Sequence, residues 1–442
     1  MLTRVHATIA LIAFLTAADN TVVAAAAPSV AAEWGLGVTA TQGVTVAYLL
    51  PFAGLLLAAG PIVDRFGERA VLRSGLLAFA VGTVVAASAV GYWQLVAGRV
   101  VQGAAAALLV PATLSLVRTR LAAADRARAA AVWTIALALA LAAGPAIGGL
   151  VAEHLHWTWV FWGTLPVLVA ASAVLPEARH AAARPTDVIG LGLAALVMLL
   201  ATGALMVLAD GGILAVPLGA GGVLVALWFV ARERQSPAPV VPAELARDKV
   251  FRSVLVVQAL WGLGVTGVCV VTPLVHQRWL GLGPADAALP LVAVAASLIL
   301  TAPWVPAVLS AVGEAKAVSG GLIVVALGLV EVAAVNEIAL LWPRLPGLIL
   351  IGVGSAFTVP LTTLALEVAG ERLAGAASGL LSAAREFAGA LGVAAVAVFV
   401  GGTAGELANG YTAALVAAAV LQVGAALIAA RVGETARVRT VR

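Results

Sequence analysis

Two charged residues in apolar surroundings carry the chemistry this sequence could perform. Asp19 sits in FLTAADNTVV, residues 14–23, with small and apolar residues on both sides. Arg99 sits in LVAGRVVQGAAAALLVPATL, residues 95–114. A carboxyl group binds its proton more tightly in apolar surroundings and less tightly beside an arginine. A residue that alternates between those settings can take up a proton on one side of a barrier and release it on the other. A second pair, Arg385 and Glu386, lies in an equally apolar stretch. Neighbouring helix residues point about 100° apart. One of these two is therefore expected to face a cavity and the other a neighbouring helix. Glu386 is a second candidate for proton coupling or for attracting a cationic substrate, and a purely structural role stays open.

These residues need an element that can hold charge in an apolar setting. The chain has 442 residues, of which 63% are hydrophobic and 10% charged, and its mean hydropathy is +1.10. Soluble domains carry about 25% charged residues, so this composition points to a bilayer. Apolar runs of membrane-crossing length fall at about 7–32, 41–63, 71–91, 93–117, 129–152, 158–175, 188–208, 213–230, 253–275, 286–311, 317–335, 342–366, 374–400 and 410–430, which makes fourteen spans. Barrel strands would alternate in polarity every second residue, and no such alternation is present. The first run continues past Asp19 to Ala32, so residues 1–18 read as part of a span and not as a cleaved leader.

Charge sets the expected orientation. With the first residues inside, the inner segments collect most of the 25 Lys and Arg. Examples are Arg118, Arg120, Arg126 and Arg128, and Arg232, Arg234, Arg247, Lys249 and Arg252. The outer loops hold Arg278 and Arg344. This asymmetry places both termini in the cytoplasm and makes the net charge of +4 a topology signal, with no nucleic-acid partner expected. Counted from the inner boundary, Asp19 lies ~18 Å into its helix, and Arg99 lies ~9 Å below the outer boundary of its own. A charge at a helix centre costs roughly 2.5–3.5 kcal/mol by insertion scales, and such residues usually face the bundle interior on an ion or substrate path. Either Asp19 and Arg99 are a static pair that knits two helices, or Asp19 carries the coupled proton and Arg99 tunes it.

The chain repeats itself. QGAAAALLVPATLSL, residues 102–116, aligns with IGVGSAFTVPLTTLA, residues 351–365, placing Gly103 with Gly352 and Pro111 with Pro360. Gly67 in DRFGER aligns with Gly313 in LSAVGEAK. Internal repeats of this kind build many secondary transporters. The repeat divides the chain into a six-helix bundle at 1–180, two inserted helices with a Pro-rich and charged linker at 181–250, and a second six-helix bundle at 251–442.

Three further motifs complete the reading. GPIVDRFGER, residues 60–69, is a short inner loop whose Gly60 and Gly67 permit a tight turn and whose Asp64, Arg65 and Arg69 can pair or meet helix ends. Gln102 and Gly103 follow Arg99 at the spacing R-x-x-Q-G. AAGPAIGGL, residues 142–150, offers Gly144, Gly148 and Gly149 for close helix packing and Pro145, which lacks a backbone donor. Together with ADNTVVAAAAP, residues 18–28, these stretches resemble the motifs of the major facilitator superfamily, and within it the fourteen-helix drug:proton antiporters. The resemblance covers nearly the whole chain. Among its departures are Glu68, Ala24 and Ala140, where the family pattern has Arg, Asn and Gly, and also Pro61-Ile62-Val63, Ala18, Ala27, Thr158 and Thr164.

The resemblance implies an all-α membrane protein of major-facilitator fold, with fourteen transmembrane helices as two six-helix bundles plus two inserted helices. It implies that the 60–69 loop is a cytoplasmic gate, that Arg99, Gln102 and Gly103 form the helix 4 motif, and that Gly144, Pro145, Gly148 and Gly149 form an antiporter motif. The expected function is export of drug-like or amphipathic organic compounds by alternating access, with the proton as coupling ion and no other cofactor. Alternatives are a dedicated exporter of an endogenous metabolite, a proton-coupled uptake system, or a membrane sensor. Thr21, Trp133, Gln258, Trp261 and Phe357 are candidates for the substrate cavity. His154, His156 and His276 lie in or near outer loops and suggest no metal site. No phosphate-binding loop or catalytic triad is present, so an enzyme is not expected. The setting expected is a bacterial inner membrane, and the protein is expected to act as a monomer.

Overall fold

In hydrocarbon each backbone N–H and C=O must be satisfied within its own segment, which makes an apolar run helical. A computed structural model describes residues 2–440, apart from 122, 177–186, 210–211, 237–238, 339 and 401–403. The helices of the first part are α1 (Leu2–Trp34), α2 (Val38–Phe66), α3 (Glu68–Ala87), α4 (Tyr92–Arg120), α5 (Ala123–His154) and α6 (Trp159–Ala173). Next come α7 (Val188–Ala209) and α8 (Ala215–Glu233). The remainder are α9 (Lys249–Leu280), α10 (Pro284–Val312), α11 (Glu314–Ala334), α12 (Trp342–Gly370), α13 (Ala376–Val400) and α14 (Glu406–Arg431). Thirteen helices are long and apolar enough to cross a membrane. The sixth expected span, α6, is shorter, and its helix is interrupted at Gly163 and Thr164. No strand occurs among the described residues. Exposed Leu77, Leu139, Leu199, Leu224, Leu327 and Leu427 give these helices apolar outer faces suited to lipid.

The chain packs as two units. Unit 1 holds Met1–Leu199, Gly222–Val240 and Gly283–Ala288, and unit 2 holds Leu200–Gly221, Val241–Leu282 and Leu289–Arg442. The repeat seen in the sequence recurs inside each. Gly67 ends α2 and opens α3 with φ 81° and ψ 149°, while Gly313 does the same between α10 and α11 with φ 87° and ψ 151°. Positive φ strains a residue with a Cβ, so both one-residue joints require glycine. A Cβ on Gly103 would lie 2.1 Å from the Tyr48 carbonyl oxygen, and one on Gly352 would lie 2.2 Å from the Val294 carbonyl oxygen. Gly82 meets the Gly98 carbonyl at 2.8 Å in the same sense, and Gly328 meets that of Gly347 at 2.5 Å. Small residues thus bring α2 and α3 against α4, and α10 and α11 against α12, to backbone contact.

Unit 2 has a buried polar hub at the ends of its helices. Asn336, just after α11, donates from Nδ2 to the Ala408 carbonyl at 2.9 Å and to Thr412 Oγ1 at 3.0 Å, both on α14. Its own carbonyl accepts from Arg344 Nη2 at 2.7 Å and from Trp279 Nε1 at 3.4 Å. Arg344 also donates to the carbonyls of Ile338 and Leu340. Read from sequence as an outer-loop residue, Arg344 is in fact fully buried, since it satisfies carbonyls that the loop leaves without helical partners. His276, near the end of α9 and so near the loop expected there, is also fully buried.

The start of α7 is held by Asp187, whose carboxylate accepts from the Gly190 N–H at 2.9 Å and from Arg232 Nη2, on α8, at 3.1 Å. These bonds, led by the Gly190 N–H and joined by Ser236, hold the Asp187 carboxyl at about 2, below its ordinary 3.8. A depressed carboxyl pKa stabilises the folded form above the unfolded pKa and loses that contribution as pH falls through the folded one. The α7–α8 pairing is therefore expected to be fully stabilised by Asp187 above about pH 4 and to lose that support towards pH 2. Limited proteolysis of this hairpin across that range checks it, and Asp187→Asn should remove the acid dependence.

Candidate functional site

The deepest polar cluster of unit 1 is built by α1, α2, α3 and α4. The close approach of α2 to α4 at Gly103 and of α3 to α4 at Gly82 brings four side chains together around Arg99. Arg99 is fully buried, and its Nη1 donates to Asp19 Oδ2, forming an ion pair whose side chains are 0% and 1% exposed. The same nitrogen donates to Gln102 Oε1 at 2.9 Å. Gln102 in turn donates from Nε2 to Asp19 Oδ1 at 3.1 Å and to Thr83 Oγ1 at 2.9 Å. Arg99 Nε donates to the Val44 carbonyl at 3.4 Å.

Aromatic rings complete the surround. The Arg99 guanidinium lies 4.5 Å from the Tyr48 ring centroid and 6.0 Å from that of Phe161. A desolvated cation over an aromatic face gains about 2 kcal/mol. Tyr48 is fixed by its own hydroxyl, which donates to the Thr16 carbonyl at 3.0 Å. The cluster is capped by apolar residues of α1, of α6 and of the turn before α6, among them Val22, Val23, Trp157, Val160 and Phe161. A charge pair so placed is held by the protein alone, and removing one partner leaves the other buried and uncompensated.

Gly144 and Gly148 set α5 against α1 beside this cluster. A Cβ on Gly144 would lie 1.9 Å from Thr21 Oγ1, and one on Gly148 would lie 2.3 Å from the Val22 carbonyl oxygen. Gly149 stands 2.8 Å, by the same measure, from the Pro284 carbonyl oxygen. The helix α5 runs unbroken through Pro145. Gly148→Val is expected to force α5 off α1 and to destabilise the protein by about 1–3 kcal/mol, the usual range for overpacking. Thermal unfolding in detergent measures the loss.

The remaining candidates separate. Thr21 lies on α1 and within hydrogen-bond reach of the Ala18 and Ala140 carbonyls, at 3.1 and 3.3 Å, so its hydroxyl serves helix packing. Trp133 is half-buried on α5. In unit 2, Trp261 Nε1 donates to Ser355 Oγ at 3.2 Å, and Phe357 packs at Gly321. Gln258 is buried, with no partner for its Oε1 among the described residues. Arg385 and Glu386 do not diverge as neighbours on a helix would suggest. The long arginine folds back, and its Nε and Nη2 donate to Glu386 Oε1 at 3.1 and 2.8 Å. The backbone next to this pair meets α9, where a Cβ on Gly262 would lie 2.6 Å from the Arg385 carbonyl oxygen. There α9 carries a turn of π-helix, Gly262–Thr266, a distortion frequent at functional sites.

Of the 60–69 loop, expected from the sequence to be a gate, Gly60, Asp64 and Arg65 lie outside the residues whose side chains are described. Gly67 forms the joint above, and Arg69 follows in the first turn of α3. Among the described residues no group of three His, Cys, Asp or Glu could hold a metal ion. Sequence reasoning missed Thr83 and Tyr48, which carry no charge and stand in ordinary apolar runs. It also missed Asn336 and the burial of Arg344 and His276.

Helix count, internal repeat and a buried intramembrane ion pair together define a multi-pass membrane protein of transporter type. The model of the Major Facilitator Superfamily matches residues 9–393, and the chain belongs to that superfamily. The "Probable actinorhodin transporter" of Streptomyces coelicolor is 30% identical over 88% of this chain and 71% of its own length. The tetracenomycin C resistance and export protein of Streptomyces glaucescens is 29% identical over 89% of this chain and 75% of its own. The cephamycin export protein of Amycolatopsis lactamdurans is 33% identical over 94% and 89%. The solved structure of a peptide transporter POT in complex with sulfate superposes with a TM-score of 0.71 over 96% of this chain and 95% of that one, at 16% identity, a likeness of fold alone.

Proposed function

We propose that the protein is a proton-coupled secondary transporter that exports drug-like or amphipathic organic compounds by alternating access. The observation that carries this reading is the buried Asp19, held by Arg99 and Gln102 where structure alone rarely justifies a carboxylate. Ionised Asp19 pairs with Arg99. Protonated Asp19 loses the charge that holds the pair, so α1 and α4 are released from one another. Proton entry from outside and loss to the inside would thereby be tied to a change in which side of the protein is open. Membership of the superfamily and the export functions named for the relatives support the direction of transport.

The chain is read as two six-helix bundles at 1–180 and 251–442, with the helices of 181–250 as an insert. Thr21, Trp133, Gln258, Trp261 and Phe357 contribute to substrate binding, and Glu386, paired with Arg385, serves either proton coupling or the attraction of a cationic substrate. The proton is the sole coupling ion, and no cofactor or metal takes part. The protein sits as a monomer in a bacterial inner membrane, and the inward bias of Lys and Arg supports cytoplasmic termini. A dedicated exporter of one endogenous metabolite is the second reading, favoured by relatives named for the export of single antibiotics.

Purified protein in vesicles with an imposed pH gradient and an internal pH dye tests both. Lipophilic cations and natural antibiotics are added singly. Proton movement induced by many compounds supports broad efflux, and movement with one class supports the dedicated exporter. No movement with any compound, in folded protein, overturns broad efflux and leaves a narrow metabolite exporter or a non-transport role.

A further inference from the structure

The proton site has a member outside the recognised motifs, and its role follows from hydrogen-bond bookkeeping. Gln102 is fully buried and presents an amide that can be placed either way round. One orientation turns its NH2 toward the Asp19 carboxylate, and the other turns its oxygen there. A donor toward the carboxylate stabilises the ionised acid, whereas an acceptor favours the protonated one. Two neighbours decide the matter. Arg99 Nη1, which can only donate, occupies Gln102 Oε1 at 2.9 Å. Thr83 Oγ1 accepts from Gln102 Nε2 at 2.9 Å.

The Thr83 hydroxyl cannot reverse its part. Its own hydrogen is committed to the Phe79 carbonyl, one turn back on α3, at 2.8 Å. A hydroxyl has one hydrogen to give, so toward Gln102 Thr83 can only accept. It reaches Gln102 because Gly82, its neighbour in sequence, lets α3 touch α4. A Cβ on Gly82 would lie 2.9 Å from Gln102 Cγ and 2.8 Å from the Gly98 carbonyl oxygen. Thr83 is itself fully buried, so no water competes for the bond.

We propose that Thr83 is a positioning residue for the coupling carboxylate: through Gln102 it holds an amide donor on Asp19 and so lowers the affinity of Asp19 for its proton. The inference rests on the proton-coupling reading of Asp19. Thr83→Val keeps the shape and removes the acceptor, leaving Gln102 Nε2 with one buried hydrogen unanswered and the amide donor held on Asp19 by Arg99 alone. Asp19 then keeps its proton to higher pH. Thr83→Ser keeps the hydroxyl and restores the bond.

The test uses the full-length protein in lipid and has two readouts. Infrared difference spectra recorded across a pH titration give the carboxyl band of Asp19, assigned by its absence in Asp19→Asn. The pH profile of substrate-driven proton movement in vesicles gives the functional counterpart. Thr83→Val is expected to move both midpoints up by roughly 0.5–1 pH unit, and Thr83→Ser to return them to the wild-type position. An Asp19 band that titrates at the same pH in Thr83→Val and wild type overturns the inference, as does an equal shift in Thr83→Val and Thr83→Ser. No titrating Asp19 band in the wild type, together with normal export by Asp19→Asn, overturns the coupling reading itself and the inference with it.

Discussion

Asp19→Asn is expected to abolish proton-driven export while leaving the protein folded. Asparagine has the size of aspartate and keeps one oxygen to accept from Arg99. The guanidinium also retains Gln102 Oε1, the Val44 carbonyl and the Tyr48 ring. The variant therefore keeps most of the local bonds and lacks only a group that can gain or lose a proton. Export in vesicles under a pH gradient should fall to background. Equilibrium binding of substrate, measured without a gradient, should persist. Export by Asp19→Asn at the wild-type rate would remove Asp19 from the coupling mechanism and leave it a structural partner of Arg99.

The second large effect is on stability. Arg99→Ala removes a side chain that is 0% exposed and leaves the Asp19 carboxylate, itself 1% exposed, without its cation. Breaking a buried pair from one side costs about 3–5 kcal/mol, a large part of the 5–15 kcal/mol by which a domain is stable. Arg99→Ala should thus unfold well below the wild-type temperature in detergent. Combining it with Asp19→Asn should recover stability at all pH values without restoring export. Arg99→Lys is expected to fold but to export poorly, because an ammonium cannot reproduce the planar group that stacks on Tyr48 while donating to Asp19, Gln102 and Val44. Unfolding temperatures that match the wild type in Arg99→Ala would show that the pair contributes nothing to stability.

The helices and the repeat were legible in the sequence because length and glycine spacing are local signals. Gly67 and Gly313, aligned from their loops, adopt the same backbone conformation, and Gly103 and Gly352 make the same approach. The meeting of Asp19 and Arg99 was suggested by their depths, since two opposite charges in hydrocarbon have few other places to go. Helix faces were less legible. In a membrane the lipid side and the protein side are both apolar, so periodicity does not mark which face of α3 is buried, and Thr83 stands out only once α4 is in place. Arg344 was misplaced for a related reason. An arginine near a span end usually reaches water, yet here the loop after α11 offers carbonyls that bind it first. Arg385 and Glu386 show that a long side chain can undo the angular separation of neighbouring helix positions.

The joints at Gly67 and Gly313 carry a consequence for how such a protein moves. Each is a single residue between two membrane-length helices, and each is closed by a hydrogen bond from its own N–H to the preceding turn, at 2.8 Å for Gly67 and 2.9 Å for Gly313. A connection that short has no slack. The arms of each hairpin cannot slide past one another by a helical turn without breaking that bond and the glycine contacts beneath it. Each pair therefore behaves as one lever that can turn as a whole but cannot shear.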